Sequence, residues 1–336
     1  MKRRSSSAGV PSRCTSSAGP EAHRTPGRSL GVHAEPATVA ELVTPAGTRA
    51  ILRRFAVRPA KRWGQHFLVS IRTLERILAA ASLSRADSVL EVGAGIGTLT
   101  LGLAERAGWV TAVEVDRRLL RALDAVVGPM PNVRIVPGDI LDLSAADLFD
   151  GPAGGARKVV ANLPYSIASA VLTGLLRQPL GLALLVVTVQ REVAERITAR
   201  PGGRTYGILS VAVQYRAVPR IVARIPPGAF FPQPAVESAL VELRPLARPA
   251  VEVPDEPTFF KIVSSGFGQR RKTLHNALAN GLDQPRDVVA RALSEAGVDP
   301  RARAETLDLA AFGRLALALA APLRDAPRSP DPRGRE

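Results

Sequence analysis

The chain of 336 residues is long enough for one large or two ordinary domains, and its 46% apolar content suffices for a sizeable core. Its single cysteine, Cys14, excludes a disulfide framework and a thiolate metal cluster, and suits a reducing cytosolic compartment. The net charge is +15, and residues 1–62 hold 12 Lys/Arg against 3 Asp/Glu, so a nucleic-acid partner and a merely solvated basic tail both stay open.

The two ends of the chain lack apolar periodicity. Residues 1–37 are rich in Ser, Gly, Pro and Arg and are predicted to be a disordered basic tail, and residues 325–336 a polar tail. The leading segment has no apolar stretch typical of a signal peptide, and the longest apolar run, residues 180–189, is too short to span a bilayer. We therefore expect a cytoplasmic protein without a membrane partner.

Strands and helices are predicted to alternate through the centre of the chain. Thr44 and Pro45 are typical of a helix start, and residues 71–78 have helical apolar spacing. The predicted strands are residues 88–92, 110–115, 133–136, 159–161 and 183–190, and the predicted helices are residues 99–106, 117–127, 167–176 and 191–199. This alternation predicts an α/β fold, a Rossmann-like parallel sheet with helices on both faces.

The sheet is predicted to end in two antiparallel strands, residues 217–225 and 238–245, at one edge. After residue 248 the pattern becomes helical. We therefore predict a sheet domain over residues 38–248 and a smaller all-helical C-terminal domain over residues 249–324.

A glycine-rich turn follows the first predicted strand, with the spacing Gly93-x-Gly95-x-Gly97. The dinucleotide fingerprint requires its third glycine one place later, where Thr98 stands. Glu114 ends the second strand, where a carboxylate can accept from both ribose hydroxyls, and Asp139 follows the third, where it can accept from an adenine amine. Each could be an ordinary loop residue, but together they favour an adenosine ligand without phosphate, such as S-adenosylmethionine (AdoMet).

The stretch Asn162-Leu163-Pro164-Tyr165 follows the fourth buried strand. The Asn162 side-chain carbonyl and the Leu163 main-chain carbonyl, freed from a ladder by Pro164, can accept both hydrogens of an exocyclic amine. Tyr165 can stack on the base that carries this amine. The pattern predicts in-line methyl transfer to a flipped nucleobase. A proline-containing turn with a core tyrosine is the structural alternative.

Two further features admit two interpretations each. Phe230 can supply a second stacking face or lie in the core. The cluster Gln269, Arg270, Arg271 and Lys272 can contact RNA phosphates, or be a solvated or domain-packing face.

The chain resembles the small-subunit rRNA adenine N6,N6-dimethyltransferases of the KsgA type over residues 38–323. The stretches that carry the resemblance are WGQHFL (63–68), EVGAGIGTLT (91–100), EVD (114–116), NLPYSIAS (162–169), QREVAERI (190–197), RTYGILSVAVQ (204–214), PPGAFFPQPAVESAL (226–240) and GQRRKTLHNAL (268–278).

The resemblance implies an AdoMet-dependent methyltransferase sheet domain with a helical C-terminal domain. It implies that two adjacent adenosines near the 3′ end of 16S rRNA are dimethylated at N6 during small-subunit biogenesis. It assigns AdoMet contacts to His66, Leu68, Gly93, Glu114, Asp139 and Asn162, and we add Gly95 from the glycine turn. His66 replaces an asparagine common in this motif, and Ala94 a frequent proline. We expect a monomer without a metal.

Three competing functions remain open from the sequence. A large-subunit (23S) rRNA adenine methyltransferase of the macrolide-resistance type shares the AdoMet site, although GQRRKTLHNAL favours the small-subunit type. A non-catalytic ribosome assembly factor would not need the amine-binding residues. A DNA adenine methylase would need a sequence-recognition domain, which the sequence does not indicate.

Overall fold

The fold is described from a computed structural model over residues 38–59, 64–149, 151–152, 154–269 and 271–325. The predicted disordered tail (1–37) lies outside the described residues, as does the predicted polar tail (325–336) except for Asp325, which ends the last helix. The elements, in chain order, are α1 (Val39–Leu42), α2 (Pro45–Arg54), β1 (Phe67–Leu68), α3 (Ile71–Ala81), β2 (Ser88–Val92), α4 (Thr98–Ala104), β3 (Trp109–Glu114), α5 (Arg117–Val127), β4 (Val133–Pro137), α6 (Ala145–Leu148), β5 (Arg157–Asn162), α7 (Ala168–Arg177), β6 (Leu182–Gln190), α8 (Arg191–Ile197), α9 (Ile208–Gln214), β7 (Ala217–Ile225), β8 (Phe230–Phe231), β9 (Ser238–Pro245), α10 (Glu256–Gly268), α11 (Leu274–Leu282), α12 (Arg286–Glu295) and α13 (Leu309–Asp325).

A seven-stranded mixed sheet forms the centre of the described structure, with strand order β4-β3-β2-β5-β6-β9-β7. The five strands from β4 to β6 are parallel, and β9 and β7 extend the sheet antiparallel at one edge. The inner strands are mostly apolar because helices cover both faces. In β6, Leu184–Val189 is buried throughout, and Thr188 is its one polar residue. The predicted α/β fold and its antiparallel edge are confirmed.

Local capping explains where the first helices begin. The Thr44 hydroxyl accepts a hydrogen bond from the Gly47 amide at 3.0 Å, with Pro45 at the first helical position, as predicted. The Ser70 hydroxyl accepts from the Thr73 amide at the start of α3. These caps satisfy main-chain amides in the first turns of α2 and α3.

A small second sheet pairs β1 with β8 and was not predicted from the sequence. Phe67 lies opposite Phe231 and Leu68 opposite Phe230. The Val69 amide also donates to the Ala229 carbonyl at 2.8 Å. The pairing holds the segment ahead of α3 against the loop ahead of β9.

The C-terminal helices have an aromatic core that continues into α9. Phe259 and Phe312 are fully buried there, and the Tyr215 ring stacks on Phe259 with centroids 4.9 Å apart. The predicted helical region is thus present, and the predicted boundary at residue 248/249 stays a prediction. Among the described helices, none combines the length and apolarity that crossing a bilayer requires.

Candidate active site

A cleft lies at the carboxyl ends of β2, β3, β4 and β5. Ligands of open α/β sheets bind at this edge. Ten of the residues singled out from the sequence line it: His66, Leu68, Gly93, Gly95, Glu114, Asp139, Asn162, Leu163, Pro164 and Tyr165. The fold therefore brings together residues that are up to a hundred positions apart in the chain.

The glycine turn after β2 has the backbone conformation that its sequence requires. Gly93, Gly95 and Gly97 have φ values of +73°, +64° and +87°, a region that favours glycine. A Cβ on Gly93 would lie 3.3 Å from the Pro164 ring, and one on Gly95 would lie 3.3 Å from the Phe67 ring. The turn therefore packs closely between the NLPY stretch and β1.

The Glu114 carboxylate holds this turn in place. Its two oxygens accept from the amides of Gly95 and Asp116, each at 2.8 Å, and the residue is 5% exposed. Burial raises the pKa of Glu114 above its ordinary value. The sequence predicted only a ribose contact. A carboxylate has about four lone-pair sites, so a ribose contact requires the two that these amides leave.

Asp116 extends this network and was not singled out from the sequence. Hydrogen bonds from Arg118 lower the pKa of Asp116 to about 2, and the Gln65 side-chain amide donates to the same carboxylate at 2.9 Å. The contact ties the segment ahead of β1 to the end of β3. The sequence could have indicated both residues, because Gln65 and Asp116 stand inside motifs that carry the family resemblance.

Asp139 lies half-buried at the rim after β4. One carboxylate oxygen accepts from the Leu141 amide at 3.0 Å, which fixes the loop. Asp139 lines the cleft, and its contact with a ligand stays a prediction.

The Asn162 side-chain amide has one engaged atom and one without a partner. Its nitrogen donates to the His66 carbonyl at 2.9 Å. Rotating the amide by 180° would place two acceptors against each other, so this orientation is the one that the hydrogen bond permits. The Oδ1 atom is buried and accepts from no group in the described part of the chain. A buried acceptor without a hydrogen bond destabilises the folded state, so we expect a ligand to supply a donor there.

Aromatic side chains stand next to this acceptor. The Tyr165 hydroxyl hydrogen-bonds the buried Ser238 hydroxyl at 2.5 Å, and the Tyr165 ring lies 5.0 Å from the His66 ring. The His66 Nδ1 lies 2.7 Å from the Pro232 carbonyl oxygen. Because a carbonyl only accepts, Nδ1 carries the proton. In the neutral ring Nε2 is then an acceptor.

Glu91 is a buried acid of the cleft that the sequence argument did not single out. It is 2% exposed, and its Oε2 atom has no partner among the described residues. Burial and, to a smaller extent, the nearby Glu114 carboxylate together raise the pKa of Glu91 to about 8. The side chain is therefore protonated near neutral pH in this structure.

The predicted RNA-contact residues lie apart from the cleft lining. Phe230 is 3% exposed and packs in the core opposite Leu68, so this geometry does not present its ring for stacking. Gln269 follows α10, and Arg271 and Lys272 are exposed in the turn before α11. Arg270 lies outside the described residues. Within the described chain no three His, Cys, Asp or Glu side chains group as metal ligands.

Comparisons with known proteins agree with this geometry. The family model described as ribosomal RNA adenine dimethylase matches residues 57–320. Two proteins named ribosomal RNA small subunit methyltransferase A are among the similar sequences. The one from Pelotomaculum thermopropionicum is 46% identical over 283 residues, which cover 82% of this chain and 96% of that protein. The one from Moorella thermoacetica is 42% identical over 284 residues, covering 83% and 98%.

Solved structures of two related enzymes match the fold. A dimethyladenosine transferase from Plasmodium falciparum is 25% identical with a TM-score of 0.65, covering 76% of this chain and 98% of that one. The 23S rRNA methyltransferase ErmE is 30% identical with a TM-score of 0.58, covering 76% and 99%. Because the family model spans most of the chain, this protein belongs to the ribosomal RNA adenine dimethylase family and is an rRNA adenine dimethyltransferase.

Proposed function

We propose that this enzyme dimethylates N6 of two adjacent adenosines near the 3′ end of 16S rRNA, using AdoMet, as a cytoplasmic monomer in small-subunit biogenesis. The observation that carries the proposal is the partnerless Oδ1 atom of Asn162 in the cleft that Gly93, Glu114 and Asp139 also line. An acceptor that the protein leaves unpaired there suits the amine of a target base.

The cleft fits AdoMet better than a dinucleotide. In phosphate-binding turns, main-chain amides point at the phosphate, but here the Gly95 amide donates to the Glu114 carboxylate. Two carboxylates at the rim would repel a pyrophosphate and attract a cationic ligand. We assign His66, Leu68, Gly93, Gly95, Glu114, Asp139 and Asn162 to the cofactor.

When bound, AdoMet supplies an electrophilic methyl group on a cationic sulfonium. Asn162 Oδ1 and the Leu163 carbonyl accept both hydrogens of the target amine, which localises the amine lone pair and aims it at that methyl. These acceptors strengthen as the nitrogen gains positive charge in the transition state. Pro164 adds no competing amide donor at the turn. The methylated ammonium is acidic enough to lose its proton to water.

The remaining residues of the stretch position the base. The Tyr165 ring offers a stacking face for a base that has left its helix, and the Ser238 hydrogen bond restricts that ring. The His66 carbonyl keeps the Asn162 amide in its productive orientation. Gln269, Arg270, Arg271 and Lys272 are proposed to contact RNA phosphates beyond the cleft.

The small-subunit substrate is favoured over the large-subunit one by the similar sequences. The relatives at 42–46% identity carry the small-subunit name. The structural match to ErmE has a lower TM-score than that to the dimethyladenosine transferase, 0.58 against 0.65, and its 30% identity lies below that of these relatives.

The deciding experiment offers labelled AdoMet with unmethylated small subunits, large-subunit rRNA and DNA, followed by mapping of the methylated adenines. We expect label only in small-subunit rRNA, in two neighbouring adenosines. Label in large-subunit rRNA would favour the macrolide-resistance type, and a deletion strain would then change erythromycin rather than kasugamycin sensitivity. Binding without label in any substrate would favour an assembly factor.

A further inference from the structure

The helix α2 exposes arginines that have no acidic partner. Arg49, Arg53 and Arg54 are exposed on this helix, and Arg58 is exposed just after it. We call these four residues the α2 arginines. None of them forms an ion pair within the described part of the chain. The contacts found are with rings: the Arg49 guanidinium lies over Phe231 and that of Arg54 over Phe55.

Helix stability does not account for this face. Residues 42–74 contain seven Lys and Arg and no Asp or Glu. Arg49 and Arg53 stand four residues apart on one helical face, where like charges cost about 0.2–0.5 kcal/mol. Arg53 and Arg54 in the last turn interact favourably with the helix dipole, but Arg49 in the middle of the helix gains nothing from it. The anion that would balance this face must come from outside the described chain.

The helix that carries the α2 arginines lies close to the cleft, and Arg49 connects the two. The Arg49 guanidinium is 5.4 Å from the centroid of the Phe231 ring. Phe231 pairs with Phe67, which lines the cleft. From the buried side of α2, Leu52 packs in one cluster with Ala94 and Ile96 of the glycine turn. The helix therefore supports the glycine turn from its buried side and presents Arg49 next to a residue pair that includes the cleft lining.

We propose that the α2 arginines bind backbone phosphates of the RNA strand that flanks the target adenosine. The inference rests on the proposed function, and it identifies a second phosphate-contact surface besides Gln269–Lys272. A guanidinium binds phosphate through two parallel hydrogen bonds, and it remains charged at any physiological pH. Holding the flanking phosphates offsets part of the cost of unstacking the base. Such contacts position the strand and do not read its sequence.

The test neutralises two of these charges in the full-length protein, as Arg49→Gln with Arg53→Gln. Binding to a protein-free small-subunit rRNA fragment that contains the target adenosines is measured between 0.05 and 0.3 M salt, roughly the range in which counterion release is resolved. We expect the Kd at physiological salt to rise on the order of tenfold, and the slope of log K against log salt to fall by about two. The affinity for S-adenosylhomocysteine should not change. The pair Arg49→Lys with Arg53→Lys should keep most of the binding.

A matched control removes two exposed arginines of α12, as Arg286→Gln with Arg291→Gln, which gives the same net charge. An equal loss in this control would mean that overall charge matters and would overturn the proposal. A loss seen only with ribosomal particles, with protein-free RNA bound as before, would indicate a protein partner and overturn it too. Intact RNA binding and methylation in the Arg49/Arg53 variant would overturn this inference alone. If the wild type binds the fragment but transfers no methyl, the proposed function fails, and a binding loss in the variant still supports the α2 surface.

Discussion

At one end of the neighbouring strands β2 and β5 the buried polar groups are hydrogen-bonded, and at the other end two of them have no partner. At the amino end, the Lys158 ammonium donates to the Asp87 carboxylate at 2.9 Å and to the carbonyls of Ala81 and Ser82 at 3.2 and 2.7 Å. All three of its protons are thus used. The Ser84 amide donates to the same carboxylate oxygen at 2.7 Å. This end contains a satisfied ion pair.

At the carboxyl end of the same two strands, buried polar atoms have no partner. Glu91 Oε2 on β2 and Asn162 Oδ1 on β5 accept no hydrogen bond from the described residues. A protein tolerates such groups where a ligand completes them. The same pair of strands thus holds a satisfied ion pair at its amino end and, under the proposed function, the reactive groups at its carboxyl end, which we call the reactive end.

The largest expected effect is on stability, from Lys158→Met. The substitution leaves the Asp87 carboxylate buried without its cation, which costs about 3–5 kcal/mol of unfolding free energy. Urea unfolding measures it, and S-adenosylhomocysteine affinity of the folded fraction should be unchanged. The neighbouring Arg157→Met, at an exposed position, is the control and should cost about 1 kcal/mol or less. An unchanged urea midpoint for Lys158→Met would remove the structural half of the comparison.

The next effect is on turnover, from Asn162→Ala. Losing one acceptor that acts in the transition state should lower kcat by about 10²–10³-fold. Cofactor affinity should change only a few-fold, because the other cleft residues remain. Asn132→Ala is the matched control, since the Asn132 amide donates to main-chain carbonyls of Ala104 and Ala107 and does not line the cleft. Equal losses of cofactor affinity and turnover would mean that Asn162 mainly builds the cofactor pocket.

The sequence predicts the sheet well because its strands carry continuous signals. The runs 88–92, 217–225 and 238–245 match β2, β7 and β9 in full, and the helix 117–127 matches α5. By contrast, β1 and β8 have two residues each and pair across a long separation, so no periodicity reveals them. The helix α9 was also missed. It follows a glycine and bears apolar residues on several faces, because it is buried between the sheet and the C-terminal helices.

The site is predictable in its residues and less so in their contacts. Glycine, glutamate, aspartate and asparagine after successive strands indicate a common rim, and the structure places them there. The sequence does not reveal that the His66 carbonyl orients the Asn162 amide, or that Glu114 holds the Gly95 amide. Both contacts join segments far apart in the chain. The burial of Glu91 is equally hidden, since an acid within a strand is as compatible with an exposed face.

The buried acid at the reactive end predicts a pH dependence. The pKa of Glu91 rises from 4.5 to about 8 on folding, so between these pH values the folded state holds a proton that the unfolded state has lost. Stability must then fall as pH rises through this window. Glu91→Gln removes the effect, and we expect it to be more stable than the wild type at pH 6 by about 2 kcal/mol and by more at pH 8, with little difference at pH 4.

Thermal unfolding of the cofactor-free protein at several pH values measures this effect. Glu75→Gln, at an exposed position, is the control and should follow the wild type. Parallel pH profiles for Glu91→Gln and the wild type would show that Glu91 is solvated in solution, and the reactive end would lose one of its two unsatisfied groups.

The smallest effect is expected from removing the Tyr165 hydroxyl, because this group already has a hydrogen-bond partner within the protein. The Tyr165 hydroxyl is bonded to the buried Ser238 hydroxyl, which stands at the start of β9. Tyr165→Phe keeps the stacking ring and removes one hydrogen bond, so kcat/KM for RNA should fall within about tenfold, the equivalent of about 1 kcal/mol.

Tyr165→Ala removes the ring as well, and its loss should exceed that of Tyr165→Phe by a further 1–3 kcal/mol, the usual contribution of one stacked base. The measurement is kcat/KM for the rRNA substrate at saturating cofactor. Ser238→Ala should match Tyr165→Phe, because either change breaks the same bond. If Tyr165→Phe were as damaging as Tyr165→Ala, the hydroxyl would itself act on the substrate, and Tyr165 would belong with Asn162 among the groups that the fold leaves available.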